Sequence, residues 1–150
     1  MATSTLQQAA QSRHRTSSSI KAGALAGLGG GVIFGIIMAM MGMLPMVAGL
    51  VGSSNALTGI VLHLVISVAI GAAYGLGASG LPARTSIHVA AGIANGVVWW
   101  VLGALVIMPL MLGMSGMIFA IGSAQIMSLM GHVIYGVVTA LLFLRIYQQA

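Results

Sequence analysis

Between Lys21 and Arg84, and again between Arg84 and Arg145, the chain runs without a charged side chain for 62 and 60 residues (22–83 and 85–144). No soluble domain keeps so much backbone away from charge, since roughly a quarter of residues in such domains are charged. About 20 apolar residues cross a bilayer as a helix. Each run therefore holds two spans and a turn, read as about 21–43, 57–79, 87–111 and 126–147. Period-two alternation, which a membrane barrel needs, is missing. Pro45 follows the first span, Gly49, Gly52, Ser53, Ser54 and Asn55 form the first turn, and Pro109 lies near the end of the third span, where it kinks or ends the helix.

The expected fold is all-α, a four-helix transmembrane bundle over residues 20–147, preceded by a polar, flexible tail over residues 1–19. Four spans put both termini and the 80–86 loop on one side. Arg13, Arg15, Lys21, Arg84 and Arg145 all fall there, and none falls in the other two loops. The positive-inside rule then places that side in the cytoplasm, with a bacterial cytoplasmic membrane as the expected location. The net charge of +5 reflects this topology and does not point to nucleic acid.

The same composition removes chemistry. The chain has no Asp, no Glu and no Cys. Carboxylate acid/base pairs, serine triads and thiolate nucleophiles are all excluded. The Gly27-x-Gly29-Gly30-Gly31 cluster lies inside a span and is not a phosphate loop. The expectation is a protein that is not an enzyme.

The two runs resemble each other at an offset of 69 residues. Ala22, Gly23 and Gly27 align with Ala91, Gly92 and Gly96, His63 with His132, and Val68 with Val137. This predicts two parallel helical-hairpin repeats, about 22–79 and 91–148, related by an axis along the membrane normal. Small residues recur at every fourth position, and so on one helix face. They are Gly23, Gly27, Gly31 and Gly35 in the first span, Gly71 and Gly75 in the second, Gly92 and Gly96 in the third, and Gly136 in the fourth. Lipid supplies no hydrophobic drive between helices, so close packing over small residues holds such bundles together.

His63 and His132 both lie on these stripes, each about 9 Å below the outer edge at 1.5 Å per residue. An imidazole facing lipid would leave its nitrogens unsatisfied. The pair therefore suits interhelical hydrogen bonding, axial ligation of haem b, or a polar conduction path. Methionines crowd the same end: Met38, Met40, Met41, Met43 and Met46, then Met108, Met111, Met114 and Met117. Thioethers such as Met111 and Met114, completed by His, suit copper(I), while Met is also a flexible filler of gaps. Trp99 and Trp100 fill space beside the first span, and His14 and His88 are solvated or interfacial.

A His followed by a Tyr-Gly pair occurs as His132-Val133-Ile134-Tyr135-Gly136 and, more widely spaced, as His63 with Tyr74-Gly75. In this the chain resembles uncharacterised small bacterial four-helix membrane proteins over residues 20–147. The resemblance implies an architecture and no activity. Three functions compete. The favoured one is an accessory or structural subunit that packs through its glycine faces on other membrane subunits or on itself, with no cofactor. The others are a haem b or copper protein using the paired histidines, and a small channel or transporter.

Overall fold

The computed structural model describes residues 2–149. The order is α1 (Ala2–Met40), α2 (Leu44–Gly49), α3 (Ala56–Ala78), α4 (Thr85–Trp99), a π-helical stretch (Trp100–Ile107), α5 (Met108–Met111), a 3-10 turn (Ser115–Met117) and α6 (Ser123–Tyr147). Among the described residues this is an all-α bundle. Four segments are long and apolar enough to cross a membrane: Gln11–Met40, Ala56–Ala78, Thr85–Met111 and Ser123–Tyr147. Each covers the span expected at that place, to within a few residues at most ends.

The first span departs most. α1 does not start near residue 20 but runs from Ala2, through the segment expected to be a flexible tail. Nothing between Ala2 and Ala22 is Gly or Pro, so no residue breaks the helix. Ser19 is buried where α1 meets α3, which ties the start of the span to the bundle.

Helix ends follow local chemistry. α1 closes with Gly42 at φ +67°, while Gly42 N–H bonds Ala39 O at 3.1 Å and Met43 N–H bonds Met38 O at 2.9 Å. This left-handed closure satisfies the last carbonyls. Asn55 caps α3, its Oδ1 accepting from Leu57 N–H at 2.8 Å.

The third span carries a proline that does not end it. Pro109 has no N–H for Leu105 O, and its ring would crowd that carbonyl. The turns before it widen into the π-helical stretch, and Leu105 O instead accepts Phe119 N–H at 3.2 Å. The helix then continues to Met111, and the 112–122 loop is tied back to it.

α1 is the centre of the arrangement. It packs on α3 on one side and α6 on another, α6 packs on α4, and α3 and α4 hardly touch. The glycine faces meet one another inside the chain. A Cβ on Gly23 would strike Gly71 O and come within 2.8 Å of Gly75 Cα, and one on Gly27 would stand 2.7 Å from Gly71 Cα. In the other pair, a Cβ on Gly92 would stand 2.5 Å from Gly136 O, and one on Gly96 would strike His132 O. Gly31 and Gly35 lie against Ser67 and against Ile60 and His63. The two contacts use like faces, but α1 at Gly23 reaches Gly71, whereas α4 at Gly92 reaches Gly136. At an offset of 69, Gly136 corresponds to Ser67. The second contact is thus shifted by one helical turn.

The expectation that these stripes present themselves to outside partners therefore needs correction. Backbones already approach each other across them, and no partner helix fits there as well.

Candidate functional site

The polar residues of the interior gather around one aromatic ring. Gly31 has no side chain, so α3 comes close enough for His63 Nε2–H to donate to Gly31 O at 3.0 Å. One turn on, the Ser67 hydroxyl donates to His63 O at 2.8 Å. Ser67 O in turn accepts the Tyr135 hydroxyl at 2.7 Å, which joins α6 to α3 across the bundle. On α6, His132 Nδ1–H donates to Ser128 O at 2.8 Å. Every one of these bonds secures a polar group that hydrocarbon would leave bare.

Phe34 of α1 stands in the middle. Its ring centroid lies 5.3 Å from that of His63 and 4.9 Å from that of His132, both in edge-on geometry. Gly131 makes room for it, since a Cβ there would strike the Phe34 ring. Among the described residues the two imidazoles make no ring contact or hydrogen bond with each other; both rest on Phe34. Ligating one metal would need a nitrogen of each ring at roughly 2 Å from it. The nitrogens left without a protein partner are His63 Nδ1 and His132 Nε2, and they would supply the bonds. No group of three or more His, Cys, Asp or Glu stands together among the described residues.

The methionines divide. Met111 and Met114 are exposed, and Met38 is buried in the same cluster as Phe34 and Tyr135, with Met43 and Met108 packed against it. Met38 thus packs in the apolar cluster that contains Phe34, the ring both histidines meet. Trp100 is half-buried. Its Nε1–H donates to Gln125 O at 2.9 Å and pins the third span to the start of α6. His14 is exposed, as expected. His88 is not: only 2% of its surface is accessible, because Tyr74, Phe143 and α3 close over it.

Sequence reasoning passed over Phe34 and Gly131. Phe is ordinary in a span, and the signal lay in their relation: a large ring on one helix opposite a glycine beside a histidine on another.

The fold and this interior define the construction of a multi-pass helical membrane protein. Comparison with protein-family models, with curated proteins and with solved structures gives no match.

Proposed function

We propose that the chain is a non-enzymatic integral membrane protein that serves as an accessory or structural subunit, within a larger membrane assembly or an oligomer of itself. The observation that carries this is the use of its polar groups. His63, Ser67, Tyr135, His132 and Trp100 each hold one helix to another or secure their own helix. Such bonds build a rigid block. The outer surface is dominated by large aliphatic side chains, from Leu25, Val32 and Ile36 on α1 to Val61 and Val65 on α3 and Val98 and Leu102 on the third span.

Association with partners then uses this outer surface and not the inner glycine faces. Two helical glycines remain on it. A Cβ at Gly77 or Gly103 would meet nothing within 4 Å, and an outward glycine lets a neighbouring helix approach closely. The reading places the basic end in the cytoplasm.

Stepwise photobleaching of the labelled chain in its own membranes, at native abundance, tests the proposal. A fixed stoichiometry or immobile co-diffusion with a larger complex is expected. Freely diffusing single copies would contradict it.

A further inference from the structure

Toward its basic end, α1 carries an open groove of about 380 Å³. Ser12, Thr16 and Ile20 form one wall, and Arg13, Ser17 and Lys21 form the other. Each wall steps by four residues, so each is a ridge of the helix and the groove runs between the two. Arg13, Ser17 and Lys21 are exposed. Thr16 Oγ1 donates back to Ser12 O at 3.0 Å, whereas the Ser17 hydroxyl makes no hydrogen bond among the described residues. One uncommitted hydroxyl thus stands between two cations whose Cα atoms are about 12 Å apart along the axis.

The chain offers these cations no acidic side chain. It has no Asp and no Glu, so neither Arg13 nor Lys21 can form a side-chain ion pair anywhere in the fold. A counter-ion has to come from outside.

The depth of the groove indicates the source. A Cβ on Gly75 would strike Ser19 O, which sets Gly75 of α3 level with Ser19 of α1. The two helices are antiparallel, since Gly71 lies against Gly27 and Ser67 against Gly31. Ala78, the last residue of α3, is therefore level with Thr16. The irregular loop beyond it is level with the residues before Thr16. Lipid-exposed loops do not occur in the hydrocarbon layer, and α3, at about 33 Å from end to end, matches the ~30 Å of that layer. The groove therefore lies in the headgroup layer, with Ile20 and Lys21 at its inner edge. Side chains on a helix lean toward its N-terminus, so the Lys21 ammonium rises toward Ser17 and away from hydrocarbon.

The same face continues downward as aliphatic surface. Leu25, Leu28 and Val32 lie within about 40° of Lys21 round the helix, and all three are exposed. A molecule with a phosphate above and an acyl chain below meets matching chemistry along one helix. A free phosphate would use only the upper part. A nucleic acid would find no aromatic ring in the groove on which to stack its bases. Phosphatidylcholine carries its own cation, so two uncompensated positive charges favour a lipid with a net negative headgroup.

We propose that this groove binds the headgroup of an anionic phospholipid, with Arg13 and Lys21 pairing its phosphate, the Ser17 hydroxyl donating to it, and an acyl chain lying on Leu25, Leu28 and Val32. The site is separate from the proposed subunit role, and either can fail alone.

Lys21 is the single lysine of the chain, so ¹⁵N-lysine labelling reports this ammonium alone. The test places the full chain in phosphatidylcholine nanodiscs and raises the fraction of phosphatidylglycerol. A saturable shift of the Lys21 resonance is expected. Arg13→Gln should weaken it about fivefold, the effect of one basic residue at an anionic surface. Arg15→Gln removes the same charge about 160° round the helix from Arg13 and should leave the curve unchanged. Ser17→Phe fills the groove with every charge in place and should also weaken binding. All three substitutions are at exposed positions, so the fold is not at stake. A shift that rises without saturation, or equal losses in Arg13→Gln and Arg15→Gln, would mark diffuse surface charge and overturn the proposal. So would full binding in Ser17→Phe. Inorganic phosphate added to lipid-matched discs without phosphatidylglycerol should give no saturable shift; a shift equal to that of the lipid would mark a soluble-phosphate site and contradict the assignment.

Discussion

Replacing Gly27 with Ala adds one methyl group where two backbones touch. That carbon would stand 2.7 Å from Gly71 Cα and would strike Ser67 O. Ordinary contact lies near 3.5–4.0 Å, so α1 and α3 must move apart by about 1 Å. A gap of 0.5–1 Å forfeits roughly a quarter to a half of each dispersion contact, and neighbouring contacts such as Gly23 on Gly75 loosen together. Packing carries this contact without help from a hydrophobic drive. The expected loss is about 1–3 kcal/mol, the usual cost of overpacking. Gly77→Ala is the control, because a Cβ there meets nothing. It should be neutral or stabilise by up to ~1 kcal/mol through helix propensity. Reversible unfolding of both variants in bicelles, against the parent, measures the difference. Equal stabilities for Gly27→Ala and Gly77→Ala would refute the claim that close backbone approach holds α1 to α3.

Tyr135→Phe removes the hydroxyl that donates to Ser67 O; a loss of about 0.6–1.7 kcal/mol is expected in the same assay, in the range of interhelical bonds in lipid. Pro109→Ala restores an N–H that can reach Leu105 O, so amide exchange at Phe119, whose N–H now holds that carbonyl, should speed up while the bundle stays folded. Gly103→Leu fills an open outer position, and should leave unfolding free energy unchanged while lowering the stoichiometry seen by photobleaching. Adding copper(I) or haem to the parent and to His132→Leu tests whether the histidines ligate: a haem held by His63 and His132 predicts a Soret band and a copper(I) ion held by them predicts metal that stays with the purified chain, each lost in His132→Leu.

The spans were legible because charge marks them. Arg84 sits in the loop that follows α3, and Arg145 lies in the last turn of α6. The polar segment before Lys21 was not legible as helix. Its composition suits water, but nothing in it stops a helix that α1 already propagates. The four-residue glycine ladders could be read as contact faces, yet periodicity says only that a face is flat. That each ladder meets another in the same chain depends on which helices become neighbours, and so the expected docking face became an interior. Placing His63 on such a face was enough to bury it, and Gly31 supplies the carbonyl it needs. His88 looked interfacial because it is near a helix start; Phe143 and Tyr74 arrive from other helices and cover it. The π-helical stretch follows from Pro109, but a proline alone does not say whether a helix bends, stops or widens.

The most direct measurement is side-specific cysteine labelling, which the natural absence of Cys makes clean. Single substitutions at Gly80, Gly52 and Gly116 are introduced in turn into the chain in sealed vesicles. A membrane-impermeant maleimide should reach Gly80→Cys from one side, and Gly52→Cys and Gly116→Cys from the other. Labelling of all three from the same side would contradict the four-span bundle on which the account stands.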